Sequence, residues 1–284
     1  MPLNLSLGLN LGSAQGGAGA SFANAYAAAW WAALPTALKT GYEAYIPIYD
    51  AFGVAISDDV FAKLDTLYLL ATHDTSGYVH LTDSACLLNW VNPATYKCTL
   101  VTTPVVTKHQ GVSGAGSSAL NTNLKYAAGV KHSLNSMTIG IWVYAMADEN
   151  GKIQYDATSG TARSAIAQRQ AATASYGGVN SDLGVFSPIP TPATGLTTLR
   201  RANPTQEQII KGKSFASIST RTRNSVDIVD NLHYICGERN SANNLSGATS
   251  DVISLAFCGA ALDNADIEKI NDAMTALLAA MAAL

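Results

Sequence analysis

A serine between glycines, Gly111-Val-Ser-Gly-Ala, with His109 two residues upstream, imitates part of a nucleophile elbow. That chemistry needs a sharp strand-to-helix turn, a separate acid and a later histidine. Here a Gly/Ser/Ala loop runs into Asn121-Thr-Asn-Leu, which reads as a loop-to-strand transition. The same loop lacks the Lys-[Ser/Thr] ending of a phosphate-binding loop. Asp263, Asp266 and Glu268 cluster at the start of a helical pattern, where capping and the helix dipole account for them. Asp148-Glu-Asn-Gly matches the beginning of a calcium loop, but Ser159 stands where the closing glutamate belongs. His73, His80, His109, His132 and His233 show no metal-ligand spacing. Cys86, Cys98, Cys236 and Cys258 show no Cys-x-x-Cys pattern, so no zinc site and no cofactor is implied. They read as buried small hydrophobes, with oxidation between subunits as the alternative.

Sugar recognition asks for something different: an aromatic face for the C–H side of the ring and amides or carboxylates for the hydroxyls, on loops at one rim. Two stretches carry that mixture. One is Tyr155-Asp156, just after a turn at Asp148-Glu-Asn-Gly; the other is Tyr176-Gly-Gly-Val-Asn-Ser-Asp, with Tyr176, Asn180 and Asp182 as the candidate contacts. Both also fit ordinary loop chemistry.

The elements that must position these residues follow from periodicity. Leu3, Leu5, Leu7, Leu9 and Leu11 alternate on one edge of an extended segment, followed by a Gly-rich hinge, so residues 1–20 form an assembly arm for another subunit or fold back on their own domain. Residues 21–71 read as a helical connector. An Ala-rich helix spans Phe22–Ala33 and bears Trp30 and Trp31, which point about 100° apart, so one is expected inside and the other in an interface. A second helix follows Ser57-Asp-Asp, with Val60, Phe61, Leu64, Leu67 and Leu70 on its apolar side. Residues 72–262 change to short β runs with turn signals, the texture of a sandwich. Met137–Ala145 is the clearest strand, with Ile139, Ile141 and Val143 on one face and Trp142 and Tyr144 on the other, which marks it as central. Residues 263–284 form an apolar helix capped by Asp263, whose Met274, Leu277 and Met281 are expected to meet a symmetry mate as well as the sandwich.

Charged residues make up 13% of the chain, against about 25% in an ordinary domain. Such a surface is solvated by hydroxyls and amides or covered by other subunits. A net charge of −3 without a basic block argues against nucleic acid. Arg200-Arg201 and the Arg221/Arg223 pair read as solvated strand edges. The start of the chain lacks a basic n-region, and Ala273–Leu284 is too short to span a bilayer, so neither a signal peptide nor membrane insertion is expected.

The run Val60-Phe-Ala-Lys-Leu-Asp-Thr-Leu-Tyr-Leu-Leu-Ala-Thr, then Leu87-Leu-Asn-Trp-Val-Asn-Pro, the Gly/Ser run Gly111–Ser118, Asn121-Thr-Asn-Leu, Ser219-Thr-Arg-Thr-Arg-Asn-Ser-Val-Asp and Ile253-Ser-Leu-Ala-Phe resembles, in content and order, the concanavalin A-like (laminin G-like) jelly-roll structural proteins of tailed bacteriophages and prophages. The resemblance covers roughly residues 57–284. It implies a mainly β protein, an antiparallel two-sheet jelly-roll sandwich with an extended N-terminal arm, short N-terminal helices and a C-terminal helix. It also implies a non-enzymatic virion surface protein, a fiber, spike or decoration subunit made in the host cytoplasm. Its expected partners are other virion proteins through the arm, further copies of itself, with a trimer compatible with the heptad-like tail, and a host surface glycan. A capsid or neck cement protein with no ligand is the alternative. The Glu-x-Asp-x-x-Glu strand motif of glucanases sharing this fold is absent, so no catalytic residues are assigned.

Overall fold

The computed structural model describes residues 21–74, 77–78, 84–127, 129–159, 162–171, 174–186, 192–239 and 245–284. Leu3, Leu5, Leu7, Leu9 and Leu11, and with them the expected arm, lie outside these residues. The helices are α1 (Ala25–Ala33), α2 (Ile46–Ile56), α3 (Asp58–Phe61) and α4 (Asn264–Ala282). Strands run β1 (Leu64–Leu69), β2 (Gly77–Tyr78), β3 (Thr99–Val101), β4 (Val105–Thr107), β5 (Gly111–Ser113), β6 (Ala119–Asn121), β7 (Met137–Ala145), β8 (Tyr155–Ser159) and β9 (Ala162–Ala171). They continue with β10 (Ala174–Ser181), β11 (Gly184–Val185), β12 (Gly195–Asn203), β13 (Gln206–Lys211), β14 (Ser219–Thr222), β15 (Tyr234–Ile235), β16 (Glu238–Arg239), β17 (Leu245–Ser246) and β18 (Val252–Gly259).

Two antiparallel sheets form the sandwich. One has the order β14-β13-β12-β7-β18-β5-β4-β2, and the other β11-β10-β9-β8-β15-β6-β3. One edge of β18 pairs with β7, while its other edge is divided between β5 at Ile253 and β1 at Leu255–Gly259. β7 therefore lies between β12 and β18, as its two apolar faces require. Ile139, Ile141 and Val143 pack into the core between the sheets, whereas Trp142 packs on the opposite face. Gly140 is needed there, because a Cβ would stand 2.1 Å from Cζ of Phe257 on the neighbouring strand.

A second core lies on the outer face of the first sheet, under the helices. Trp30 stacks on Trp90 at 4.7 Å and meets Tyr49 edge-on at 4.8 Å; Phe52 adds a perpendicular contact to Trp90 at 5.1 Å. Trp31 packs beside Tyr49 and His73 on the other side of α1. The 100° between the two tryptophans is thus satisfied within one chain, since α1 is covered on both flanks, and neither forms an assembly surface: both are buried. Met274, Leu277 and Met281 are corrected in the same way. They are buried in this second core, on a helix whose principal helical neighbour is α2. The capping box expected at Asp263 is present, Asp263 accepting from the amide of Asp266 and Asp266 returning the bond.

The helix expected after Ser57 stops at Phe61, and Leu64–Leu69 is strand β1. All six of its residues are buried, with Leu67 and Leu69 toward the helices and Tyr68 toward the other sheet. A run apolar on both faces satisfies helical spacing as well as strand alternation, and pairing with β18 decides the matter. The sandwich therefore begins at Leu64, inside the expected connector. Ala85–Leu87 is a 3-10 turn where a strand was expected, and Ser225–Val229 forms no strand. All four cysteines are buried free thiols.

Candidate functional site

Of the residues expected to meet a sugar, only Asp182 stands at an accessible polar rim. Tyr155 is fully buried, its hydroxyl 2.8 Å from Nδ1 of His233, and burial holds its phenol well above the usual tyrosine range. Asp156 is also fully buried and pairs with Arg163 at 2.9 Å; burial raises its carboxyl to about 6 against the pull of Arg163. Both are interior residues of β8 and not loop contacts. The Tyr176–Asp182 stretch is not a flexible loop either, because it forms most of β10, paired with β9 and β11. Gly177 lets that strand approach the facing sheet, where a Cβ would stand 2.7 Å from Leu199. Asn180 is buried at a positive φ of 54° and donates to the carbonyls of Ser133 and Leu134 at 3.1 Å each. Tyr176 is half-buried opposite Val185 in the β10–β11 pair.

What sequence reasoning missed is the set of charges behind Asp182. Register places Arg201, Glu207 and Arg221 abreast on β12, β13 and β14. Arg201 and Glu207 are fully buried and bond at 2.6 Å. Glu207 also accepts from Arg221 Nε at 2.8 Å and from the amide of Val179 at 2.8 Å. The Arg201 guanidinium is further satisfied by the carbonyls of Val179, Pro204 and Arg223. Arg221 continues outward to the carbonyl of Asp182 at 2.6 Å and to Ser181 Oγ at 2.8 Å, with its guanidinium 5.5 Å from the Phe186 ring. Arg223 closes the series at Asp182 Oδ2, 2.7 Å away, with both side chains about half exposed. Asp182 Oδ1 accepts no hydrogen bond among the described residues and lies 3.5 Å from Arg221.

This ladder carries charge from the core to the edge of the sandwich, where Thr222, Arg223, Asn224 and Val226 line an open groove of about 400 Å³. Val226 is among the most exposed large apolar residues described. The groove offers guanidinium, amide and hydroxyl donors, carboxylate and amide acceptors, and one apolar surface. That inventory suits a hydroxyl-rich ligand.

The motifs discounted at the outset have structural partners. Ser113 Oγ donates to the carbonyl of Ser250, and His109 Nε2 pairs with the Tyr45 hydroxyl at 2.7 Å, so the two do not form a nucleophile–base pair. Glu149 accepts from the amide and hydroxyl of Ser250. His73 bridges the Tyr49 hydroxyl and the carbonyl of Leu38.

Lys211, on β13, places its ammonium against Ser175 Oγ and Thr197 Oγ1, and burial pushes it down to about 7. An unfolded lysine stays protonated to about pH 10.4. Between pH 7 and 10 the unfolded chain therefore binds a proton that the folded chain does not, and stability rises with pH through this group by at most about 1.4 kcal/mol per unit. Lys211→Met should raise the unfolding midpoint most at or below pH 7, and the difference should close toward pH 10. Thermal unfolding of both proteins from pH 6 to 10 checks this; a constant offset would contradict it.

No family profile and no curated protein matches this chain. Among solved structures 54 chains match. A mutant of a protein designated HCR/D has TM-score 0.51 at 8% identity, over 76% of this chain and 53% of that one. Domain 4 of AbnA, an extracellular arabinanase from Geobacillus stearothermophilus solved with arabinotriose, has TM-score 0.42 at 10% identity, over 74% of this chain and 98% of that domain. The sialidase of Trypanosoma rangeli, solved with 2,3-difluorosialic acid, has TM-score 0.48 at 9% identity, over 74% of this chain and 32% of the sialidase. This chain thus spans about half of HCR/D and a third of the sialidase. At such identities the likeness is one of fold: a mainly β, lectin-like jelly-roll sandwich with helices at both ends. Among the described residues no helix is long and apolar enough to cross a membrane.

Proposed function

We propose that this chain is a non-enzymatic, lectin-like subunit of a tailed-phage particle that binds a host surface glycan in the groove beside Asp182. The observation that carries this reading is the buried Arg201–Glu207–Arg221 ladder, which fixes Asp182 and Arg223 at the mouth of an open polar groove. Donors held rigid before binding lose less entropy on binding, and this is how a small groove gains affinity for a flexible saccharide. The phage setting rests on the sequence resemblance, and the lectin-like character is supported by the fold. A glycan array tests the proposal. The full chain should retain a related group of oligosaccharides, and Arg223→Ala and Asp182→Ala, both at the rim, should lose that retention while circular dichroism stays unchanged. Retention of no glycan, or equal retention by all three proteins, would overturn it.

A second reading, a cement protein that spans neighbouring subunits without a ligand, is favoured by a different surface. α2 and α4 enclose an apolar groove lined by Pro47, Ile48, Ala51, Ala55, Ala276 and Ala280. On that reading, changes in this groove weaken attachment to the particle and changes at Arg223 do not.

A further inference from the structure

Three chemically unlike donors meet inside the sandwich, at a place that the glycan reading does not use. The β1–β18 register breaks between Leu64 and Thr66, which leaves Asp65 as the extra residue of a bulge. Thr66 pairs with Cys258 across the same ladder. His132 arrives on the segment that leads into β7, and Asp65 holds it by three bonds: Oδ2 lies 2.6 Å from its Nδ1 and accepts its backbone amide at 3.1 Å, while Oδ1 accepts the amide of Lys131. All three residues are buried, and one donor atom from each lies within 4.8 Å of the others.

The second observation is independent of that proximity. A carboxylate opposite Nδ1 fixes the imidazole proton there and leaves the lone pair on Nε2. His132 Nε2 is buried and has no hydrogen-bond partner among the described residues. The same holds for Nε2 of His233, whose ring centre is 5.9 Å from that of His132. Two partnerless imidazole nitrogens in one core require an explanation, since buried polar atoms are otherwise paired. A carboxylate aligning a histidine is also the usual surrounding of a metal-bound imidazole.

We propose that Asp65, His132 and Cys258 form a binding site for a divalent transition metal ion of the zinc class. The donor set decides the class. A thiolate, an imidazole and a carboxylate suit a borderline-soft ion of low coordination number, whereas calcium and magnesium require more oxygens than this core supplies. Three protein donors leave a fourth position for a water molecule. Binding exchanges a proton for the metal: the sulfur–metal bond forms as the Cys258 thiol proton is lost to solvent. Burial otherwise keeps that thiol protonated, so occupancy should increase with pH. The ion would tie β1, β18 and the segment before β7 at one point. Because the site is enclosed, loading belongs to folding.

The test is to refold the full chain with zinc, remove free metal by gel filtration and measure retained metal by mass spectrometry. One zinc per chain is expected, falling below a tenth in Cys258→Ser and His132→Gln but unchanged in Cys98→Ser, a buried thiol outside the cluster. If the two site variants fail to fold, refolding the unaltered chain with cobalt(II) decides the question. A thiolate-to-cobalt charge-transfer band supports the site, and its absence overturns it. Refolded native chain without zinc, or zinc retained by Cys258→Ser, overturns it equally.

Discussion

Glu207→Gln is expected to destabilise the folded chain by about 3–5 kcal/mol, the cost of breaking a buried ion pair from one side. The glutamine keeps the shape but removes the charge that two guanidiniums share. Arg201, fully buried, would then carry an uncompensated charge, and Arg221 would lose its anchor on the inner side. Urea unfolding at pH 7 reads the effect as a lower midpoint with an unchanged slope. Exchanging Arg201 and Glu207 together for apolar residues of similar volume should cost much less than either single change, because the penalty lies in the orphaned charge. A loss under about 1 kcal/mol for Glu207→Gln would mean that the ladder is solvated and does not rigidify the groove.

Trp90→Ala should cost about 3–5 kcal/mol for the lost contact area and the cavity it leaves. Trp90 is fully buried at the centre of the second core, stacked on Trp30 and touched edge-on by Tyr49 and Phe52. It joins α1 and α2 to the outer face of the first sheet. The variant should therefore loosen the helical layer before the sandwich opens, and limited proteolysis should cut within residues 25–56 while β7 and β18 stay protected. Trp90→Phe, which keeps an aromatic ring, should lose less. Equal protection of the helices in Trp90→Ala would show that α4 and the sheet hold them without this contact.

Which parts of this architecture could be read from sequence depends on how local their causes are. β7 is legible because its residues alternate with apolar groups on both faces, a pattern that only a central strand satisfies. The start of α4 is legible because Asp263 and Asp266 cap one another within four residues. β1 is not, since its run of apolar residues fits two periods and its partner lies some 190 residues away in β18. β10 is obscured by Gly177-Gly178, which imitates a loop but lets the strand approach Leu199 and the carbonyl of Asp182. Trp30 and Trp31 suggested an exposed face because nothing in α1 indicates that both its flanks are covered.

The groove divides along the same line. Asp182 is visible as a carboxylate in a polar stretch. Its partners are not, because Arg201, Glu207 and Arg221 come together only through the registers of two strand pairs. Read along the chain, Arg221 and Arg223 look like solvated edge residues. In the fold, one is the inner anchor and the other the outer jaw of the same site. The Asp65–His132–Cys258 cluster likewise spans most of the chain and shows no ligand spacing in sequence.

The central claim is that the rim at Asp182 and Arg223 binds saccharide. Calorimetric titration tests it most directly, using the oligosaccharide best retained on the array, with the native chain, Arg223→Ala, and Lys213→Ala, whose exposed ion pair with Asp272 lies on α4. We expect saturable binding by the native chain, an affinity at least about tenfold lower in Arg223→Ala, equivalent to about 1.4 kcal/mol, and no change in Lys213→Ala. Equal affinity in all three proteins would contradict the account and place any saccharide site elsewhere on the sandwich.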